Sequence, residues 1–256
     1  MTQSIAVTGA LMRRALNEVV RVPGAAVPGV IAPTIFLLGL TAAFGKLTEV
    51  RGFGGPDDYI SFLAPVTLLQ CAGFTGAATG VNLARDIEQG WFDRLLVCPA
   101  PRVTLLAGIV SSAALRSLLP ASFVFIVAEI IGVHWPGVDG LLIAFALAMG
   151  LATVMAFWST IIALRFRTQQ AAPLMQAGAF MMVLFTTSYA PLSLLTGWFQ
   201  EVARYNPVRF IVEGVRQMSV YGVDWAHTWR ALAAVALLAV VFGTLAMRGL
   251  LRAADQ

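Results

Sequence analysis

The chain has 256 residues, of which 59% are hydrophobic and only 12% are charged. Soluble domains average roughly 45–50% apolar and about 25% charged residues, so a soluble protein is excluded and the bilayer must be part of the solvent. The net charge of +4 comes from arginines scattered between apolar runs, without the basic stripe that nucleic-acid binding requires. We therefore expect an all-α integral membrane protein that contacts membrane lipids and binds no nucleic acid.

The first element is an amphipathic helix predicted over residues 3–22. Apolar residues recur at helical spacing on one side, while Arg13, Arg14 and Arg21 occupy the other side. Such a helix either lies in the membrane interface with its arginines at the lipid phosphates, or packs on the cytoplasmic loops of the protein. Pro23-Gly24 then breaks the helix and turns the chain into the first span.

Six apolar runs follow, each long enough for a membrane-spanning helix of about 20 residues. The predicted spans are residues 26–45, 59–82, 103–131, 140–164, 171–190 and 230–249. An even number of spans places both termini on the same side of the membrane. That side carries ten Lys and Arg residues against six on the other side, so the positive-inside rule predicts that both termini are cytoplasmic.

A short amphipathic helix is predicted over residues 85–97, in the loop after the second span. Ile87, Trp91 and Leu95 form a row at i, i+4 spacing, and Phe92 joins it, while the charged residues lie largely off the row. An aromatic patch rimmed by charge is typical of a contact site for a partner. The alternative is a helix that packs inward beneath the bundle, and the residues alone leave both interpretations open.

Charged and polar residues inside the third span and its neighbour are candidates for function. Arg116 lies about halfway through the third span, and Glu129 lies near its outer end. Together with Gln70 these residues are candidates for lining a translocation path. The alternative is that Arg116 is structural and is held by polar groups such as Gln70 on a neighbouring helix.

Residues 191–225 predict a re-entrant outer hairpin followed by a surface helix, before the last span. Pro191, Trp198 and Asn206-Pro207 interrupt the helical pattern, and Asn206 is a suitable N-cap with Pro207 at the first helical position. One face of the surface helix would then be an apolar row and another face would be charged: Val208, Ile211, Val212, Val215 and Met218 form the row, and Arg209, Glu213 and Arg216 form the charged face. Non-helical backbone at membrane depth is tolerated only where protein or water covers it. These four residues therefore form either an outer gate or a structural cap.

The chain lacks the sequence motifs of a catalytic, cofactor-binding or metal-binding site. It contains no Gly-x-x-x-x-Gly-Lys-Ser/Thr loop for nucleotide phosphates. Its two histidines, His134 and His227, lie in separate outer segments with no cluster of further metal ligands. We expect any ATP hydrolysis to belong to a partner, with no cofactor in this chain.

Two motifs resemble those of the membrane permease subunit of type-2 ABC exporters, in particular the daunorubicin-resistance group. They are Arg85-Asp86-x-Glu88-x-Gly90-x-x-Asp93-Arg94-Leu95-Leu96 with Pro99 and Arg102, and the Pro191…Trp198…Asn206-Pro207 segment before the last span. The resemblance extends over nearly the whole chain, because the order of the amphipathic helix and the spans also agrees. Neither motif identifies a substrate.

The resemblance implies a permease of the bacterial plasma membrane that pairs with a second copy or a paralogous permease and with two ABC ATPase subunits, which bind ATP and Mg. The loop before the third span would be a coupling helix in a groove of the ATPase. Its implied contact residues are Arg85, Asp86, Ile87, Glu88, Gly90, Trp91, Phe92, Asp93, Arg94 and Leu95. The substrate would be an amphiphilic drug, a lipid or a lipid-linked product. Export of a cell-envelope polysaccharide and a non-transport membrane scaffold are the alternatives.

Overall fold

The computed structural model describes residues 27–97, 101–133 and 135–254, together with Gly9 and Arg13 as helical positions. The rest of the predicted N-terminal helix, residues 3–22, lies outside the described residues. The helices in the described ranges are α1 (Val27–Phe44), α2 (Tyr59–Glu88), α3 (Trp91–Val97), α4 (Arg102–Ile131), α5 (Val138–Phe166), α6 (Ala172–Leu184), α7 (Gly197–Tyr205), α8 (Val208–Val220) and α9 (Trp225–Ala254). Short 3-10 segments at Gly45–Glu49 and Gln169–Ala171 connect some of them.

Five stretches of helix in the described ranges are long and apolar enough to cross a membrane. They are Gly29–Glu49, Tyr59–Glu88, Arg102–Ile131, Val138–Phe166 and Trp225–Ala253. A helix of 30 residues is about 45 Å long, which exceeds the hydrocarbon core of about 30 Å. The chain is therefore an all-helical, multi-pass membrane protein, as its composition predicted.

The fifth predicted span, residues 171–190, is helical only over Ala172–Leu184. Thirteen residues of helix cover about 20 Å, and turns and bends continue the chain from 185 to 196. The hydroxyl groups of Thr186 and Ser188 donate to the carbonyl oxygen of Val183 at 2.6 and 2.7 Å. Hydroxyl side chains that bond to nearby carbonyls compete with helical backbone bonds, and this explains why α6 ends before residue 190.

Helix α2 is the centre of the bundle. In the most apolar 18-residue stretch of α2, 83% of the residues are buried, compared with 11% in such a stretch of the first span and 17% in the last. Helices α1, α4, α5, α6 and α8 all pack against α2. Since α1 and α9 leave most of their apolar side chains exposed, these two helices lie at the periphery and present apolar surface to the surroundings.

Small residues allow α2 and α5 to approach each other closely. A Cβ atom added at Gly80 would lie 2.5 Å from the backbone of Ser159, and one added at Gly76 would collide with the carbonyl oxygen of Ala152. The Ser159 hydroxyl donates to the carbonyl oxygen of Gly76 at 3.2 Å and accepts from the amide of Gly80 at 3.1 Å. Small residues at helix interfaces are typical of membrane bundles, and Gly76 and Gly80 provide them on α2.

We expect Gly80→Val to separate α2 from α5 and to lower the melting temperature of the detergent-solubilised protein. Overpacking a tight core typically costs about 1–3 kcal/mol, and here the obstacle is backbone that cannot move aside. The matched control is Gly73→Ala, because a Cβ atom there would meet only Met155 at an ordinary 3.8 Å. Equal melting temperatures for the two variants would contradict the close approach.

Candidate functional site

Two regions at opposite ends of α2 carry the residues singled out from the sequence. Following the charge-based prediction, we name the end with Glu88 the inner end and the end with Tyr59 the outer end. The docking loop is defined as residues 85–97, and the outer segment as residues 185–224. Long stretches of apolar helix separate these two regions.

The docking loop contains a break where a single helix was expected. Residues 85–88 are the last turn of α2, and α3 starts afresh at Trp91. Between them Gly90 adopts a backbone φ of +69°, a left-handed conformation that glycine reaches without the steric penalty of a Cβ atom. The sequence analysis treated Gly90 as an ordinary position of one helix. The prediction of one continuous helix is therefore wrong at Gly90, where the turn gives α3 a direction different from that of α2.

Trp91 and Phe92 lie on different sides of α3. Trp91 is 41% exposed, whereas Phe92 is only 4% exposed and belongs to a core cluster that includes Leu83, Leu106 and Val110. The expectation that Phe92 contacts a partner is not supported, because its ring is already buried within the chain. Phe92 anchors α3 to the bundle, and Trp91 with the exposed Asp93 and Arg94 forms the outward surface.

Glu88 joins the docking loop to the loop between α5 and α6. Its Oε1 accepts hydrogen bonds from the Thr168 hydroxyl at 2.7 Å and the Gln169 amide at 3.0 Å, and its Oε2 accepts from Gln169 Nε2 at 2.7 Å. Arg85 Nε donates to Gln169 Oε1 at 3.3 Å. Two residues predicted to contact a partner therefore hold two loops of this chain together.

The three polar residues considered for a translocation path have separate partners. Gln70 Nε2 donates to the Tyr189 hydroxyl at 2.7 Å, Arg116 Nη2 donates to Thr79 Oγ1 at 2.8 Å, and Glu129 Oε1 accepts from the Trp135 amide at 3.4 Å. Gln70 and Thr79 are nine residues apart on α2, which is about 14 Å along the helix. Arg116 therefore bonds a different polar group from Gln70, the partner that the sequence analysis suggested.

Asn206 connects the end of α6 to the start of α8. Its Oδ1 accepts from the Val208 amide at 2.9 Å, so it caps α8 as predicted. Its Nδ2 donates to the carbonyl oxygens of Met182 at 3.0 Å and Phe185 at 2.8 Å, which have no helical donor once α6 has ended. Pro207 completes this junction in a helical conformation.

The apolar row predicted for the surface helix is confirmed by α8. Its five members are all at most 1% exposed: Val208, Ile211, Val212, Val215 and Met218. Gly214 allows close packing on α9, where an added Cβ atom would lie 2.8 Å from the Cβ of Ala231. Through this row α8 packs on α2, α5 and α9.

Arg216 is a buried residue whose contacts the sequence analysis missed, because it was grouped with the charged face of the surface helix. It is only 9% exposed. Its Nε donates to the carbonyl oxygen of Phe62 at 3.2 Å, and its Nη2 donates to those of Thr187 at 2.8 Å and Ser188 at 3.3 Å. One signal in the sequence could have indicated its burial. Arg216 lies four residues after Val212, about one helical turn along the buried row.

Arg216 also lies over an aromatic ring. Its guanidinium carbon is 3.6 Å from the centroid of the Phe62 ring, a cation–π geometry. The Tyr59 hydroxyl donates to the carbonyl oxygen of Tyr189 at 2.7 Å. Arg216, Tyr59 and Asn206 thus supply donors to the carbonyl groups of a stretch that forms no helix, as membrane burial requires.

Trp198 and Pro191 complete the outer segment. Trp198 is 69% exposed, and its ring lies 6.0 Å from that of Phe185. The Pro191 carbonyl accepts from the Leu194 amide at 3.0 Å in a tight turn. At the end of the segment, a hydrogen bond with His227 lowers the pKa of the Asp224 carboxyl. The four predicted gate residues all lie in this segment.

The fold and these two regions define a multi-pass membrane protein with a surface loop at one end and a folded, non-helical segment at the other. The sequence matches the family described as ABC-2 type transporter over residues 6–220. The chain therefore belongs to the ABC-2 type transporter family, as a membrane permease. It contains the membrane-spanning component of such a transporter.

Several named relatives resemble the chain over most of its length. It is 25% identical to the daunorubicin resistance ABC transporter permease protein DrrB1 of Streptomyces coeruleorubidus, over 86% of this chain and 77% of the relative. It is 30% identical to ycf38 of Pyropia yezoensis, named as a transport permease, over 86% and 75%. It is 23% identical to DrrC of Mycobacterium tuberculosis, named for doxorubicin resistance, over 87% and 78%.

Proposed function

We propose that this chain is the permease of an exporter that moves an amphiphilic drug, lipid or lipid-linked product across the bacterial plasma membrane. Energy comes from two separate ABC ATPase subunits that hold ATP and Mg. The observation that carries the proposal is the exposed surface of Trp91, Asp93 and Arg94, presented on a helix that Phe92 anchors in the core. Relatives named for daunorubicin and doxorubicin resistance support the amphiphilic substrate class.

The working unit contains a second permease, either another copy or a paralogue. Apolar side chains of α1 and α4 remain exposed in the single chain, among them Ile35 at 64% and Ile130 at 79%. Lipid or a second permease has to cover such surface. Both termini are cytoplasmic in this proposal, so that the docking loop faces the ATPase.

Six crossings are the topology that we propose, with residues 169–189 as the fifth in chain order. Gln169 contacts Glu88 at the inner end of α2, and Tyr189 contacts Tyr59 at the outer end. Tyr59 and Glu88 are the two ends of a 30-residue helix, about 45 Å apart. A segment that reaches both ends of α2 crosses the same depth as α2 does, although its helix is short.

The function is tested by purifying the chain in mild detergent together with every bound protein and then reconstituting the complex in vesicles. We expect an ABC ATPase to co-purify, and we expect ATP to drive accumulation of an anthracycline or a fluorescent lipid. The matched control is an ATPase subunit with its phosphate-binding lysine replaced. A complex without an ATPase, or transport that continues with the control, would support a non-transport scaffold or another energy source.

The topology predicts which side of the membrane each test position faces. In a background without Cys71 and Cys98, single cysteines at Gln3 and Gln256 should react only from the cytoplasm. A cysteine at Asp139, which is exposed at the outer end of α5, should react only from outside. A membrane-impermeant maleimide applied to intact cells and inverted vesicles distinguishes the two. Labelling of position 139 from the cytoplasmic side would contradict six crossings.

A further inference from the structure

We propose that Glu88 is a positioning residue that ties the docking loop to α6, so that movement of the loop reaches the outer segment through α6. It does this instead of contacting the ATPase. The inference rests on the proposed function, because it concerns how force from an ATPase crosses this subunit. It assigns to Glu88 and Gln169 a role that neither the motif nor the fold alone indicates.

The first support is the geometry of the carboxylate. Both oxygens of Glu88 are engaged, through three hydrogen bonds from Thr168 and Gln169. Hydrogen bonds to an ionised acceptor are shorter and stronger than neutral ones. The carboxylate lies three residues before α3 begins, and Gln169 opens the short 3-10 turn that continues into α6. A displacement of the last turn of α2, next to α3, is therefore passed through these hydrogen bonds to the first residues of that 3-10 turn.

The second support is what holds the other end of α6. Asn206 donates to the carbonyl oxygens of Met182 and Phe185 and at the same time caps α8. Residues 169–184 span about 24 Å between these two attachments. Polar contacts thus hold α6 at both ends. Glu88 of the docking loop makes them at the start of α6, and Asn206 of the outer segment makes them at its end.

The third support separates positioning from folding. The contacts of Glu88 are exposed to solvent, and exposed polar contacts contribute little to stability because water replaces them. The core beneath, with Phe92 and Leu83 buried, does not depend on them. Removing the Glu88 carboxylate should leave the protein folded and should affect only how the two loops move together.

The experiment compares Glu88→Ala with Trp91→Ala in the reconstituted complex with the ATPase. We expect Glu88→Ala to keep the ATPase bound with a Kd within about twofold of normal and to keep hydrolysing ATP. Export per ATP should fall by about tenfold, which is within the range by which residues along a coupling network change the coupling between two distant sites. Trp91→Ala should instead lose the ATPase. Glu201→Ala, which removes an exposed carboxylate at the outer end, is the matched control. It should change neither ATPase binding nor export per ATP.

A second variant tests the pair itself. Glu88→Gln combined with Gln169→Glu exchanges the two partners, keeps an amide facing a carboxylate, and should restore most of the export per ATP. If the exchanged pair folds but does not restore the export per ATP, the proposal is overturned. This test remains valid even if Glu88→Ala proves unstable. Loss of ATPase binding by Glu88→Ala, or unchanged export, overturns it as well. Failure of the unmodified chain to bind an ATPase or to export would instead reject the proposed function.

Discussion

Replacing Arg216 by methionine is expected to remove most of the folded protein from the membrane fraction. Methionine fills a similar volume but donates no hydrogen bond, so the carbonyl groups of Phe62, Thr187 and Ser188 lose their donor. Each buried polar group left unpaired costs roughly 1–3 kcal/mol. Phe62 keeps its helical donor within α2, but Thr187 and Ser188 lie outside any helix. Two such losses, together about 2–6 kcal/mol, reach the lower end of the roughly 5–15 kcal/mol that stabilise a typical folded domain.

The measurement is the yield of monodisperse protein in mild detergent, together with its melting temperature. The matched control is Arg204→Met on α7, because the Arg204 side chain is 49% exposed and pairs with Glu201 at the surface. We expect the control to melt within a few degrees of the unmodified protein. A normal yield and melting temperature for Arg216→Met would show that water or another group satisfies these carbonyls.

Replacing Trp91 by alanine is expected to release the ATPase and stop export without unfolding the permease. Tryptophan residues at the centre of an interface commonly contribute about 2 kcal/mol or more, a factor of roughly thirty in affinity. Asp93→Arg should have a similar effect, because it reverses a charge at the rim of the same surface. A pull-down of the ATPase beside the transport assay measures both variants.

Two controls separate binding from folding in this experiment. Trp198→Ala removes an exposed tryptophan at the outer end and should leave ATPase binding unchanged. Phe92→Ala removes a buried ring from the core, which typically costs 3–5 kcal/mol, and should lower the melting temperature. Full ATPase binding and normal export by both Trp91→Ala and Asp93→Arg would mean that the docking loop is only a solvated cap.

The periodicity and composition of the chain determined those features that depend on residues close together in sequence. Long apolar runs form helices because the bilayer offers no water to bond the backbone, and each run satisfies its own groups. The buried row of α8 follows from the helical repeat of 3.6 residues. The cap at Asn206 likewise depends on the residue type at one position.

The tertiary structure decided every feature that joins distant residues. The partner of Glu88 lies 81 residues further along the chain, and Phe62 lies 154 residues from Arg216. Helix packing brings such pairs together, and the spacing of residues in the sequence does not indicate which distant residues will meet. The sequence therefore placed Arg216 on a charged face and Phe92 on a contact surface, whereas both are buried. A side chain's periodicity predicts its helix face, but the neighbouring helices determine whether that face meets solvent, lipid or the core.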